Sequence, residues 1–268
     1  MDRRAIGVFD SGLGGLTAVL ALRKLLPNEN IVYLGDTARL PYGEKTPAEL
    51  KNCVADDINF LKSQDVKLVL IACGTVSSNF DREELSKEFD LPIIEVLTPA
   101  VEKACKVTRG KIGVIATTAS IKAGAYKREI SKKGQGCEVF DVACPKFVPL
   151  VESGRLSYND KEVKEAVDEY ILPLKKEGID TLILGCTHYP LLKDAIKEVL
   201  SDLEFIDVGA EAAKMARDYI TSREMQTDRE NGVCRFFVSS DAENFKKGAG
   251  RFLSEEVGAV GEVDWKQK

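Results

Sequence analysis

A chain of 268 residues, 44% hydrophobic and 30% charged, has enough apolar material for one large or two ordinary domains. Its net charge of -5 leaves no electrostatic footprint for nucleic acid or an anionic membrane surface, so neither is an expected partner. No N-terminal stretch combines a basic start, an apolar run and a small-residue cleavage site, and no apolar segment is long enough to span a bilayer; the expected compartment is the cytoplasm.

Strand and helix patterns alternate along the chain. Residues 6–9 form a short apolar run that predicts a strand, feeding the glycine-rich turn Asp10-Ser11-Gly12-Leu13-Gly14-Gly15. Apolar spacing over 17–26 then predicts a helix that Pro27 stops. A strand follows at 31–34, and Thr46-Pro47-Ala48-Glu49 reads as a capping box with proline in the first turn of a helix carrying Val54, Ile58 and Leu61 on one face. The apolar run 68–72 delivers Cys73. A further strand is expected at 92–96, with Thr98-Pro99 opening the next helix by the same cap chemistry.

From Lys111 the pattern starts again. Ile112-Gly113-Val114-Ile115-Ala116-Thr117 echoes Ile6-Gly7-Val8-Phe9-Asp10-Ser11, and 182–185 lead into Cys186-Thr187 as 68–72 lead into Cys73. Between them an amphipathic helix over 161–176 is expected to be interrupted near Pro173. In the tail, a helix over 210–221, a strand at 235–238 and a helix over 242–253 are expected to pack back on the first half. The fold expected is two similar α/β domains with mainly parallel sheets, 1–97 plus 210–268 and 98–209, facing a ligand across their cleft.

Seven cysteines, at 53, 73, 105, 137, 144, 186 and 234, are an odd number with no CxxC pair, which argues against a disulfide framework. Most of them read as small buried hydrophobes. Cys73 and Cys186 differ, because each follows an apolar strand and each has threonine close behind it (Thr75, Thr187). Strand C-terminal ends are where open α/β sheets bind ligands, and a thiol is a fair acid and, once ionised, a good base or nucleophile.

The neighbouring motifs narrow the chemistry. The turn at 10–15 lacks the GxGxxG spacing of a dinucleotide site and Asp10 would repel a pyrophosphate, whereas exposed amides there suit a carboxylate. His188, the chain's one histidine, lies two residues from Cys186, where an imidazole could exchange a proton with the thiol. Cys186-Thr187-His188 lacks zinc-ligand spacing, so no metal is expected. A Cys-His hydrolase with Cys186 as nucleophile leaves Cys73 without a purpose.

Five segments carry a resemblance: Phe9-Asp10-Ser11-Gly12-Leu13-Gly14-Gly15; Gly35-Asp36-Thr37 with Leu40-Pro41-Tyr42-Gly43; Ala72-Cys73-Gly74-Thr75; Pro149-Leu150-Val151-Glu152-Ser153-Gly154; and Gly185-Cys186-Thr187-His188-Tyr189-Pro190. In this order they make the chain resemble glutamate racemases, the cofactor-independent enzymes that interconvert L- and D-glutamate for bacterial peptidoglycan. The resemblance runs to about residue 210 and is looser beyond it. It implies that Cys73 and Cys186 are the two acid/base residues, with Asp10 assisting Cys73, Asp36 nearby, and His188 and Glu152 assisting Cys186. Asp10, Ser11, Pro41, Tyr42, Gly43, Gly74, Thr75, Thr187 and His188 are the implied substrate contacts, and Thr117 is a further candidate donor. Neither cofactor nor metal is implied, and a homodimer is. One departure stands out: the family has asparagine after the first cysteine, and Gly74 takes its place, leaving its backbone amide to substitute in part.

Racemisation without a cofactor requires one group to remove the α-proton from one face while a second delivers a proton to the other. Two sulfurs in near-attack contact with one α-carbon should then lie about 7 Å apart. At a reference pKa of about 8.5, only about 3% of a cysteine is thiolate at pH 7. An ionised Asp10 beside Cys73 would raise that thiol further, so Asp10 is expected to accept a proton or orient the substrate ammonium. Carbanion-like charge must be met by preorganised donors, for which Thr75, Thr117, Thr187 and the amides of 12–15 are candidates. Two other readings share these residues: a racemase of aspartate or another acidic compound, and a non-catalytic binding or regulatory protein that keeps the cleft.

Overall fold

The computed structural model describes residues 1–134, 136–253 and 255–265. Its strands are β1 (Ala5–Asp10), β2 (Ile31–Gly35), β3 (Val66–Ile71), β4 (Ile93–Glu95), β5 (Lys111–Ala116), β6 (Glu138–Ala143), β7 (Thr181–Leu184), β8 (Glu204–Asp207), β9 (Cys234–Val238) and β10 (Val260–Glu262). Among the described residues, one sheet has the order β10-β9-β2-β1-β3-β4 and the other β6-β5-β7-β8. Every pairing is parallel. β1, β2 and β3 are buried along their whole length, as expected of parallel strands covered on both faces by helices, and this is why they read as apolar runs but for Lys67, whose ammonium is paired with Glu29, and the terminal Asp10.

The strand order locates the ligand site before any side chain is considered. From β1 the chain moves out to β2 and then returns to the other flank as β3; from β5 it moves out to β6 and returns as β7. Each sheet therefore has a topological switch point beside its central strand, where diverging loops leave a crevice at the strand C-terminal ends. One crevice lies beyond Asp10 and Ile71, the other beyond Ala116 and Leu184. The internal echo in sequence corresponds to this shared topology.

Local chemistry explains most element ends. Helix Pro47–Ser63 begins with the capping box, Thr46 accepting from the Glu49 amide while the Glu49 carboxylate accepts from the Thr46 amide. Helix Leu97–Val107 starts earlier than Thr98-Pro99 suggests and is not capped by Thr98: the buried Glu95 carboxylate accepts from the Leu97 and Thr98 amides at 2.5 and 2.9 Å. Helix Lys161–Glu177 runs through Pro173 without interruption. Pro173 and Glu169, whose carbonyl loses its partner, are exposed, while Ile171 and Leu174 are buried and hold the helix on the core.

The tail strands join the first sheet, β9 pairing with β2 and β10 with β9. Helix Val208–Ser222 packs on helix Leu16–Leu25, where a Cβ on Gly209 would come within 3.2 Å of the Ala18 backbone nitrogen. That helix is capped by Asp207, whose carboxylate accepts from the Ala210 amide. A division at 209/210 consequently cuts into a helix, and the element boundary lies at 207/208.

Candidate active site

β1 ends on Asp10, and the glycine turn after it is pinned by Tyr33, whose buried hydroxyl donates to the Gly12 carbonyl at 2.7 Å. β3 delivers Cys73 to the N-cap of helix Gly74–Asn79. From the second sheet, β5 delivers Thr117 as the N-cap of helix Thr118–Ala123, and β7 delivers Gly185, Cys186, Thr187 and His188. These ends open on one cavity of about 450 Å³, into which both Cys73 and Cys186 project. Asp10, Ser11, Pro41, Tyr42, Gly43, Gly74, Thr75, Thr117, Glu152, Thr187 and His188 line it as well.

The two walls touch at the floor. Thr187 Oγ1 donates to Asp10 Oδ2 at 3.0 Å, and Thr17 Oγ1 lies 3.0 Å from the Thr187 carbonyl. Gly14 is required here: a Cβ would sit 2.4 Å from both Thr187 Oγ1 and His188 Nδ1. Gly74 is required for the same reason, since a Cβ there would lie 2.8 Å from the Gly185 carbonyl oxygen. With the walls placed as they are here, a side chain at 74 would require the Gly185 end of the opposite wall to shift.

The electrostatics of the two sulfurs differ. Burial, and then the charge of Asp10, push the Cys73 thiol up to about 12. Its Sγ lies 4.0 Å from Ser11 Oγ. Cys186 Sγ instead faces His188 Nδ1 at 3.7 Å, and His188 Nε2 meets Glu152 Oε1 at 3.1 Å. Burial opposes charge on His188, but its bonds to Cys186 and Glu152 and the charge of Asp10 outweigh that and raise the imidazole to about 10. Asp10 is fully buried, and burial pushes its carboxyl up against the opposing pull of His188, the Gly12 amide and the Thr187 and Ser11 hydroxyls.

His188 also ties stability to pH. Its folded value of about 10 lies above the ordinary 6.5, so its contribution is complete below 6.5 and is lost as pH rises through 10. As the chain has one histidine, the fall in unfolding free energy between pH 6.5 and 9, read by urea titration, is expected to flatten in His188→Asn.

Two expectations need correction. Asp36 does not line the cavity: fully buried, it accepts from Arg39 Nε and Tyr42 Oη through Oδ2 and from Ser239 Oγ and Trp265 Nε1 through Oδ1. It has no lone pair left for Cys73. The Tyr42 hydroxyl turns away from the substrate space and lies between Asp36 Oδ2 at 2.5 Å and Asp57 Oδ2 at 2.6 Å. Burial and the charge of Asp36 push Asp57 well above the usual carboxylate range, and the Tyr42 hydroxyl is shared between the two carboxylates.

Other wall residues escaped the sequence reading. Thr118, Cys144 and Val148 line the cavity, and Phe252 from the tail meets the His188 ring edge-on at 5.7 Å between centroids. Cys144 follows β6, the strand beside β5, but it read as one of the small buried hydrophobes. Among the described residues that line the cavity there is no lysine or arginine.

Known proteins resemble the chain in sequence and in fold. The family model of Asp/Glu/hydantoin racemases matches residues 18–216. The glutamate racemase of Thermoanaerobacter pseudethanolicus is 39% identical over 266 residues, covering 98% of each chain. The crystal structure of the Francisella tularensis glutamate racemase in complex with D-glutamate matches with a TM-score of 0.91 at 36% identity over 100% of both chains. That of the glutamate racemase isoform RacE1 from Bacillus anthracis matches with 0.93 at 36% identity over 99% of both. Similar in sequence and in fold along its length to such enzymes, the chain belongs to the Asp/Glu/hydantoin racemase family and is an amino-acid racemase.

Proposed function

We propose that the protein interconverts L- and D-glutamate by a two-base reaction between Cys73 and Cys186. One observation carries this reading: two buried cysteines, each at the switch point of its own sheet, open on a single cavity. Cys186, beside the His188 imidazolium, removes the α-proton of one enantiomer, while the Cys73 thiol, held at about 12, delivers a proton to the opposite face. The roles exchange for the other enantiomer. The buried Asp10 carboxyl group meets the substrate ammonium. With no lysine or arginine among the lining residues, hydroxyls of Ser11, Thr75, Thr117 and Thr187 and strand-end amides meet the carboxylates and the carbanion-like charge.

The reading includes turnover with no cofactor, in the cytoplasm, supplying D-glutamate for peptidoglycan precursors. Either enantiomer of glutamate, incubated with the protein alone, should approach an equal mixture, and aspartate should not. Turnover of aspartate in preference to glutamate would overturn the substrate assignment. His188→Ala should lower kcat more in the direction where Cys186 is the base, while the equilibrium constant stays at unity. Equal kcat losses in both directions would remove the directional role.

A further inference from the structure

The C-terminal ends of three adjacent strands converge on Asp36. β2 delivers Asp36 itself, β9 delivers Ser239, and the edge strand β10 leads to Trp265. The four bonds that Asp36 accepts divide evenly: Ser239 Oγ at 2.6 Å and Trp265 Nε1 at 2.9 Å come from the tail, and Arg39 Nε at 2.6 Å and Tyr42 Oη at 2.5 Å from the segment after β2. Arg39 adds bonds to Asp56 at 2.8 Å and Asp57 at 3.1 Å, and its guanidinium lies 4.4 Å from the centre of the Trp265 ring. The indole also meets Phe60 edge-on, at 6.4 Å between centroids.

The segment held in this way is a wall of the cavity. Leu40, Pro41, Tyr42, Gly43 and Glu44 all line it. A Cβ on Gly43 would lie 3.3 Å from Ala119 Cβ in the opposite half, so the wall abuts the second domain at the mouth. Its turns are shallow, with the Arg39, Glu44 and Lys45 amides bonded only three residues back, and the Ala38 amide donates to Ser239 Oγ at 2.8 Å. Short turns of this kind do not hold themselves in place. Side chains from the tail and from helix Pro47–Ser63 fix them.

We propose that Trp265 is a positioning residue for the active site, acting through Asp36 and Arg39 to hold the wall 40–44 in its substrate-ready place. It touches no reacting atom. The consequence for turnover rests on the glutamate reading above; the consequence for the wall does not.

The test compares the parent, Trp265→Ala and Trp265→Phe, with folding of each checked by circular dichroism. Amide hydrogen exchange across 38–45 is expected to quicken by about tenfold in Trp265→Ala, because local opening becomes cheaper, with β1 and β3 unchanged. Trp265→Phe keeps the ring and loses the N–H, and should fall between. KM for glutamate should rise about fivefold with kcat within about twofold, the pattern of lost uniform binding. Parent-like exchange across 38–45 in both variants would overturn the inference, whatever the kinetics; Trp265→Phe decides alone if the alanine variant does not fold. Wall exchange that quickens in a protein whose parent form leaves glutamate untouched would sink the substrate assignment and leave this role intact.

Discussion

Cys73→Ser and Cys186→Ser are each expected to lower glutamate turnover by about 10³-fold or more in both directions, within the range that a positioned acid or base contributes. Each direction uses one sulfur to take the α-proton and the other to give one, so losing either stops both. Serine fills almost the same space in these buried sites, and the fold should survive. Its hydroxyl is a far weaker acid than a thiol, so neither the base facing His188 nor the proton donor held at about 12 can be reproduced. Circular dichroism of glutamate, followed from each enantiomer, checks the loss. The contrast with His188→Ala is diagnostic, because that substitution removes assistance from one sulfur and leaves both in place.

Gly14→Ala is expected to be nearly as damaging, by about 10²-fold in kcat/KM in both directions, since misplacement of about 1 Å at a reacting centre costs that much. The new methyl would arrive 2.4 Å from Thr187 Oγ1 and His188 Nδ1, the nitrogen that faces Cys186. Either the imidazole leaves the sulfur or the β7 end moves away from the β1 end, and in both cases the two sulfurs lose their relation to one substrate carbon. Overpacking of this kind should also cost about 1–3 kcal/mol of stability. Steady-state kinetics with both enantiomers and a urea titration separate the two effects. Gly74→Ala meets a backbone carbonyl at 2.8 Å and should act in the same sense.

Local signals carried much of the fold. Apolar runs ending in a polar residue marked β1, β3, β5 and β7, because strands buried on both faces must be continuously apolar until they reach the ligand edge. The capping box at Thr46 was legible for an equally local reason. What failed was decided at a distance. Asp36 sits at a strand end like Asp10 and reads as a site residue, yet its orientation is set by Ser239 and Trp265, 203 and 229 residues away. Tyr42 turns inward because Asp57, on the following helix, lies beneath it. No periodicity reports such pairings. Pro173 was misread because a proline on an exposed helix face removes a bond that solvent replaces, while the buried face holds the helix together.

The steric role of Gly74 shows the same limit. From the sequence it is a lost side-chain amide; in the fold it is the point at which the helix after Cys73 meets the strand end before Cys186. That contact joins two segments that are over a hundred positions apart.

Racemisation in heavy water tests the two-sulfur account most directly. With glutamate carrying ordinary hydrogen at the α-carbon, the account predicts that the first product formed is fully deuterated there, because the delivering thiol has exchanged with solvent, while recovered substrate keeps its protium. Product that retains the substrate's own α-hydrogen would mean one group serving both faces, and would contradict it.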